Sequence, residues 1–221
     1  MLQHGARTDV EDEEGNTLLF YLFDAELAKL YLSLGLDAMH RNHAGETPLH
    51  RALSSGVAEE LLRHGADLHA KDGDGDSIFQ TCTSGEFAAW CIDHGFDPDE
   101  RNFEGDTPLH GADADVAEAL LRHGAGLHAK DKAGRTALHT HYQPEVLADL
   151  IRRGLSPHER DERGNTPLHY AVGVEDARVL VEAGADVRAL NAQGETPARR
   201  AARMEHPEAA VYLEAQERAL S

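Results

Sequence analysis

The chain is poor in cysteine, aromatic residues, lysine and long apolar runs, and each scarcity closes off a class of protein. Its 221 residues include two cysteines, Cys82 and Cys91, too few for the disulfide framework of a small secreted domain. The expectation is a pair of reduced thiols packed as small apolar side chains in a cytoplasmic protein. Phe, Trp and Tyr make up only 5%. The apolar content is mainly Ala, Leu and Val, a composition that suits closely packed short helices better than a sheet sandwich. No run approaches the roughly 18 apolar residues of a membrane span, and Met1-Leu2-Gln3-His4-Gly5 lacks the basic and apolar segments of a signal peptide. Lysine occurs only at positions 29, 71, 130 and 132, an arginine bias that points to a GC-rich bacterial genome.

Positive charge is scarce as well. Lys and Arg number 21 against 40 Asp and Glu, a net charge of −19 with histidine neutral. Such a field repels phosphate backbones and anionic lipid heads and steers in basic partners. Nucleic acid and membrane surfaces are therefore excluded as expected partners, and a basic protein is favoured. With 41% hydrophobic residues the chain is too apolar for a disordered acidic tail.

What the chain does have is periodicity. Gly-x-Thr or Gly-x-Ser recurs at Gly15, Gly45, Gly75, Gly105, Gly134, Gly164 and Gly194, a spacing of about 30 residues that marks a repeat architecture. Thr47-Pro48-Leu49-His50, Thr107-Pro108-Leu109-His110, Thr136-Ala137-Leu138-His139 and Thr166-Pro167-Leu168-His169 read as helix starts, with Thr capping exposed N–H groups and Pro at the first helical position. A second helix ends in Leu61-Leu62-Arg63-His64-Gly65-Ala66-Asp67 and its counterparts, where glycine permits the left-handed stop. A polar stretch such as Leu68 to Gly75 then forms a turn or hairpin.

This unit resembles the ankyrin repeat, and the resemblance covers almost the whole chain. It implies an all-α solenoid of helix pairs with projecting β-turn or hairpin fingers, and a role in binding another protein through fingers and concave groove. The expected organisation is a single domain over 1–221, with a partial N-terminal repeat over 1–14, six repeats of about 30 residues over 15–190 and a capping repeat over 191–221. The copies are about three residues shorter than the usual ankyrin repeat, and the missing residues fall between the two helices. The copies beginning at Thr17 and Ser77 are degenerate.

Fifteen histidines invite a metal-site reading. Most occupy recurring columns, however, and columns on stacked helices lie about 8–10 Å apart, too far to share one zinc. Hydrogen bonding within and between repeats is the expected role. Asp72-Gly73-Asp74-Gly75-Asp76 opens like a calcium loop, but Thr83 stands where a bidentate Glu is needed. No HExxH, CxxC, activated nucleophile or phosphate cradle is present. Neither catalytic nor metal-binding residues nor any cofactor is expected.

Candidate partner-binding residues come from the fingers and the inner row. Phe103 stands in a finger column otherwise filled by Glu13, His43, Gly73, Lys132, Glu162 and Ala192; beside it, Asp74 and Glu104 belong to an acidic ridge. The position after each histidine or its equivalent reads Tyr21, Arg51, Thr81, Gly111, Thr140, Tyr170 and Arg199. By the resemblance this row faces the groove, and its variation suits a specificity surface. Tyr142, Asp113 and Asp115 lie at the shortened turns between helices. Trp90 is expected to pack between repeats. Phe103→Ala or Tyr170→Ala should weaken partner binding with little effect on the melting temperature. Small acidic ankyrin-like chains are similar to immunity proteins that neutralise toxins, some acting on nucleic acids. A monomeric inhibitor of a basic protein is the first expectation, a passive scaffold or effector module the second, and a metal-dependent enzyme a remote third.

Overall fold

The computed structural model describes residues 10–220. Most of the expected partial repeat, with Met1 to Ala6 as the tail of a helix, lies outside the described residues. Among those residues there are nine α-helices and no strand: α1 (Ala25–Ser33), α2 (Ser55–Arg63), α3 (Gly85–Asp93), α4 (Ala114–Arg122), α5 (Ala137–Thr140), α6 (Pro144–Arg152), α7 (Val174–Glu182), α8 (Pro197–Arg203) and α9 (Pro207–Ala219).

The expected first helix of each repeat is mostly a single turn. Leu18–Tyr21, Pro48–Arg51, Pro108–His110 and Pro167–Tyr170 are 3-10 turns, residues 78–81 form an irregular turn, and α5 has four residues. Only the last repeat, which has more residues between its Thr and its second helix, extends this element to the seven residues of α8. The residues missing from the short repeats are thus the second turn of the first helix. A lone turn is a poor helix by propensity, since nucleation costs more than one bond returns. Side chains hold it instead.

The Thr-Pro-Leu-His segments show how. At His50 and His110, Nδ1 accepts the Thr47 and Thr107 backbone N–H at 3.0 and 3.1 Å, so the proton sits on Nε2. That Nε2–H donates to a carbonyl of the next repeat, Asp76 at 3.1 Å and Arg135 at 3.2 Å; His169 does the same to Glu195 at 3.1 Å. One imidazole therefore closes its own turn and latches it to the next. His139 makes the inner bond to Thr136 at 3.1 Å, but its Nε2 is buried without a partner. In the degenerate third repeat Gln80 takes over, accepting from Ser77 N at 2.9 Å and donating to the Glu100 carbonyl at 3.2 Å.

The fingers are tight turns built on an Asp or Asn column at positions 12, 42, 72, 102, 131, 161 and 191. In each, Oδ1 accepts the backbone N–H groups two and four residues on, as at Asn42 with 3.0 and 2.9 Å and Asp161 with 2.8 and 2.8 Å. The glycine three residues after the column has φ between +73° and +83° throughout, a conformation open to glycine at little cost. Successive fingers are stitched by one backbone bond each, from His43, Gly73, Phe103, Lys132, Glu162 and Ala192 N to the preceding finger, at 2.9–3.0 Å. Asp72 of the calcium-like segment spends its Oδ1 in this way, on Asp74 N and Asp76 N at 2.9 Å.

Behind the fingers, the core is continuous from repeat to repeat. Leu49, Leu109, Leu138 and Leu168 of the turns and Leu61, Leu120, Leu150 and Leu180 of the second helices are no more than 2% exposed. Ala28, Ala58, Ala88 and Ala177 are fully buried and let neighbouring elements approach. Removing one such leucine side chain costs about 2–5 kcal/mol.

Candidate functional site

The structure sets the inner row against the finger bases, and among the described residues hollows open between them. The first, of about 210 Å³, is lined by Glu14, Tyr21, Phe23, Arg51 and Leu53. The second, of about 290 Å³, lies mid-array among Asp76, Gln80, Asp106, Gly111, Arg135 and Tyr142. The third, of about 360 Å³, is lined by Arg163, Glu195, Arg200, Arg203 and neighbours.

The middle hollow has the most unusual electrostatics. Gly111 leaves a gap in a row that elsewhere carries Tyr, Arg or Thr, and a Cβ built there would meet nothing within 4 Å. Beneath the gap lie two carboxylates. Burial pushes the Asp76 carboxyl above the ordinary range, a bond from Asn102 offsets it in part, and the charges of Asp72, Asp74 and Asp106 add to the rise. Burial also raises Asp106, against the attraction of His110 and Arg135. Its Oδ1 is buried without a hydrogen bond and lies 3.8 Å from Arg135. Arg135 is shared: its Nε donates to Asp131 Oδ2 at 2.5 Å, and its Nη2 makes the longer ion pair with Asp106. Two under-compensated carboxylates at the bottom of an open hollow favour an incoming cation.

Of the candidate residues, Tyr142 (52% exposed) is the one that lines this hollow. Tyr21 and Arg51 line the first, with Arg51 held to Glu46 at 2.9 Å. Phe103, 58% exposed, lies over Gly75 of the preceding finger, where a Cβ would come within 2.5 Å of its ring. Asp74 and Glu104 are exposed on the same two fingers and pass their carbonyls to Phe103 N and Lys132 N. Asp113 and Asp115 are exposed at the start of α4, where Asp113 accepts from Gln143 at 2.5 Å and Asp115 caps the Gly85 N–H of α3 at 2.9 Å.

Two positions differ from expectation. The last member of the inner row is Arg200, not Arg199. Its guanidinium lies 4.2 Å from the Tyr170 ring centroid and donates to the His169 carbonyl, while Arg199 points outward. The final repeat has no latch histidine and carries two successive arginines, but every other member of the row lies four residues after its Thr or Ser, which gives Arg200 from Thr196. Tyr170 is half-buried rather than free. Its hydroxyl donates to Asp161 at 2.6 Å beneath Arg200. Burial draws the Asp161 carboxyl upward, but bonds from Tyr170, Asn165 and the finger backbone outweigh it, and the group titrates below its ordinary range. Tyr170→Phe is therefore expected to lower stability by about 1–2 kcal/mol and to raise the Asp161 pKa, read by chemical denaturation and by carboxylate NMR titration. An unchanged denaturation midpoint contradicts the assignment.

The thiols of Cys82 and Cys91 lie 3.7 Å apart in the core, where the contact with Cys91 and then burial raise the Cys82 pKa. Trp90 is half-buried and stacks on His94 with centroids 3.9 Å apart. Among the described residues no three His, Cys, Asp or Glu side chains are placed to hold a metal ion, and no helix is long and apolar enough to cross a membrane.

Stacked helical pairs, latched by histidine and edged by glycine-closed fingers, define an α-solenoid with an open recognition face. Comparison with known proteins supplies the family. Sequence models of the ankyrin repeat match residues 44–73, and models of three tandem ankyrin repeats match residues 111–189 and 140–218. The chain belongs to the ankyrin repeat family.

Relatives include human ankyrin repeat and SOCS box protein 16, 31% identical over 178 residues, which span 66% of this chain and 39% of that protein. Mouse NF-kappa-B inhibitor delta is 34% identical over 131 residues, 50% of this chain and 38% of its own length. The chain thus spans about two-fifths of these relatives. The crystal structure of the ankyrin repeat domain of Bcl-3, described as a member of the IkappaB family, superposes with a TM-score of 0.54 at 24% identity, covering 81% of this chain and 88% of that one. Ankyrin repeats make the chain a protein–protein interaction module, on a fold that is in general a non-enzymatic binder.

Proposed function

We propose that the chain is one functional unit that binds a basic protein through its fingers and inner row, and that binding inhibits that partner. The observation that carries this reading is the middle hollow, where Gly111 opens access to two desolvated carboxylates, Asp76 and Asp106. A lysine or arginine seated there relieves their repulsion. The contact set runs from Tyr21 and Arg51 through Asp74, Phe103, Glu104, Asp113, Asp115 and Tyr142, with Tyr170 at the far end.

Much of the chain's positive charge is turned inward or paired. Arg41, Arg101 and Arg160 each donate to carbonyls of their own finger and of the next repeat. Arg63, Arg122 and Arg153 pair with carboxylates on their own helices. The finger carboxylates thus dominate the field, which speeds the approach of a cation and keeps free copies apart as monomers.

A cytoplasmic bacterial protein that neutralises a toxin, including one acting on nucleic acid, fits this chemistry, as does a scaffold that recruits its partner without blocking it. Affinity isolation from the source cells, eluted by a salt gradient, tests the reading. The expected result is a protein of basic isoelectric point released by salt; capture of only acidic or salt-insensitive proteins contradicts it. Assay of the captured protein's own activity in the complex separates inhibition from recruitment.

A further inference from the structure

The first hollow differs in chemistry from the middle one. Phe23 is 77% exposed, Tyr21 52% and Leu53 43%. The same column carries Thr83, Asp113, Tyr142 and Val172 in the next four repeats, so the first hollow alone has two adjacent copies with a Phe and a Leu there, while the middle one has Tyr142 beside polar neighbours. Exposed apolar side chains also gather at this end: nine of the fifteen large ones, Val10 to Leu53, fall in the first 53 residues. Tyr21, Phe23 and Leu53 line the hollow together, and exposed apolar surface beside polar groups marks an interaction site.

The rim is acidic. Glu14 lines the hollow, Glu11, Asp12 and Glu13 of the same finger are exposed, and so is Asp24, next in sequence to Phe23. The cation in the lining, Arg51, is already bound to Glu46. Tyr21 is fixed, since its hydroxyl donates to Asp12 and accepts from Asn16 at 3.1 Å. A ring held in place before binding loses little freedom when a ligand packs on it.

We infer that this hollow seats one large apolar side chain from a partner segment that carries Lys or Arg on both flanks, the flanking cations meeting the carboxylates of the first finger and Asp24. The inference rests on the basic-partner reading and adds to it the anchor. A second copy of this chain is a poor occupant, because two molecules of charge −19 repel each other.

The test is fluorescence anisotropy on the full chain with three labelled dodecapeptides. The first has a central Phe-Leu flanked by lysines, the second has Ala-Ala at the centre, and the third has glutamates for the lysines. The Phe-Leu peptide is expected to bind at least about tenfold more tightly than the Ala-Ala peptide, and the glutamate peptide not to saturate. The Phe23→Ser/Leu53→Ser variant, or Phe23→Gln alone, is expected to remove that tenfold advantage with an unchanged melting temperature, and Val211→Ser, at an exposed position of α9 at the far end of the array, to keep it. Equal binding of the Phe-Leu and Ala-Ala peptides, or full affinity in the variants, overturns the inference. So does a concentration-dependent dimer of the parent chain that the Phe23 variants abolish. If an isolated basic partner binds those variants at full affinity, the anchor is wrong and the basic-partner reading survives. If no basic partner exists, that reading fails first.

Discussion

His110→Ala is expected to cost about 2–4 kcal/mol of unfolding free energy, because it removes a small part of the core and orphans two buried backbone groups at once. The imidazole accepts from Thr107 N at 3.1 Å and donates to the Arg135 carbonyl at 3.2 Å in the next repeat. His139→Ala loses only the inner bond, since its Nε2 is buried without a partner, and is expected to cost at least about 1 kcal/mol less. Urea denaturation of the two variants gives the comparison. Neighbouring repeats stabilise one another in such arrays, so a cut latch between the fourth and fifth repeats should also broaden the transition. Equal losses in the two variants contradict the latch.

Acid is expected to unfold the chain well above the carboxylate range. Burial holds the imidazoles of His139, His141 and His169 below the usual histidine pKa. A base depressed on folding is protonated first in the unfolded chain. Its contribution is complete above the unfolded value of about 6.5 and is lost as pH falls from there toward the lowered one. Three such groups give a slope of up to about 4 kcal/mol per pH unit. Asp76 and Asp106, raised on folding, act in the opposite sense: they take up protons first in the folded state and so soften the loss. Denaturation midpoints should be flat from pH 8 to about 7 and fall steeply below about 6.5. A constant midpoint down to pH 5 contradicts the account.

The repeat, its period and its glycine stops were legible because backbone geometry demands them: a left-handed position admits few residues besides glycine, and the same turn recurs in every copy. The Asp or Asn finger column at 12, 42, 72, 102, 131, 161 and 191 was equally available, three residues ahead of each glycine, and is masked only by the alternation of two residue types. That one turn of helix or loop is missing between the two helices was legible; that it comes from the first helix was not. Whether Pro48–Arg51 continues as a helix depends on a side chain reaching across to the next repeat, and the recurring histidine marks that bond without giving the length of the helix.

The site was legible in part. Phe103 stood out as an aromatic in a polar finger column and Tyr142 as one at a shortened turn between helices, and both are exposed. Asp76 and Asp106 did not stand out, because their character comes from burial and from the missing side chain at Gly111. Phe23 aligns with Leu53, but its exposure does not show in the sequence, and Tyr170 carries the chemistry of a contact residue while serving the finger beneath Arg200.

The middle hollow opposes stability to binding, and one double variant separates the two. Asp76→Asn with Asp106→Asn removes two carboxylates that burial disfavours while keeping their shape and much of their hydrogen bonding. With the isolated basic partner, calorimetry at pH 7.5 should show an affinity at least about 30-fold weaker, some 2 kcal/mol, while the melting temperature holds or rises. Parent affinity in that variant would contradict the claim that this groove binds its partner by charge.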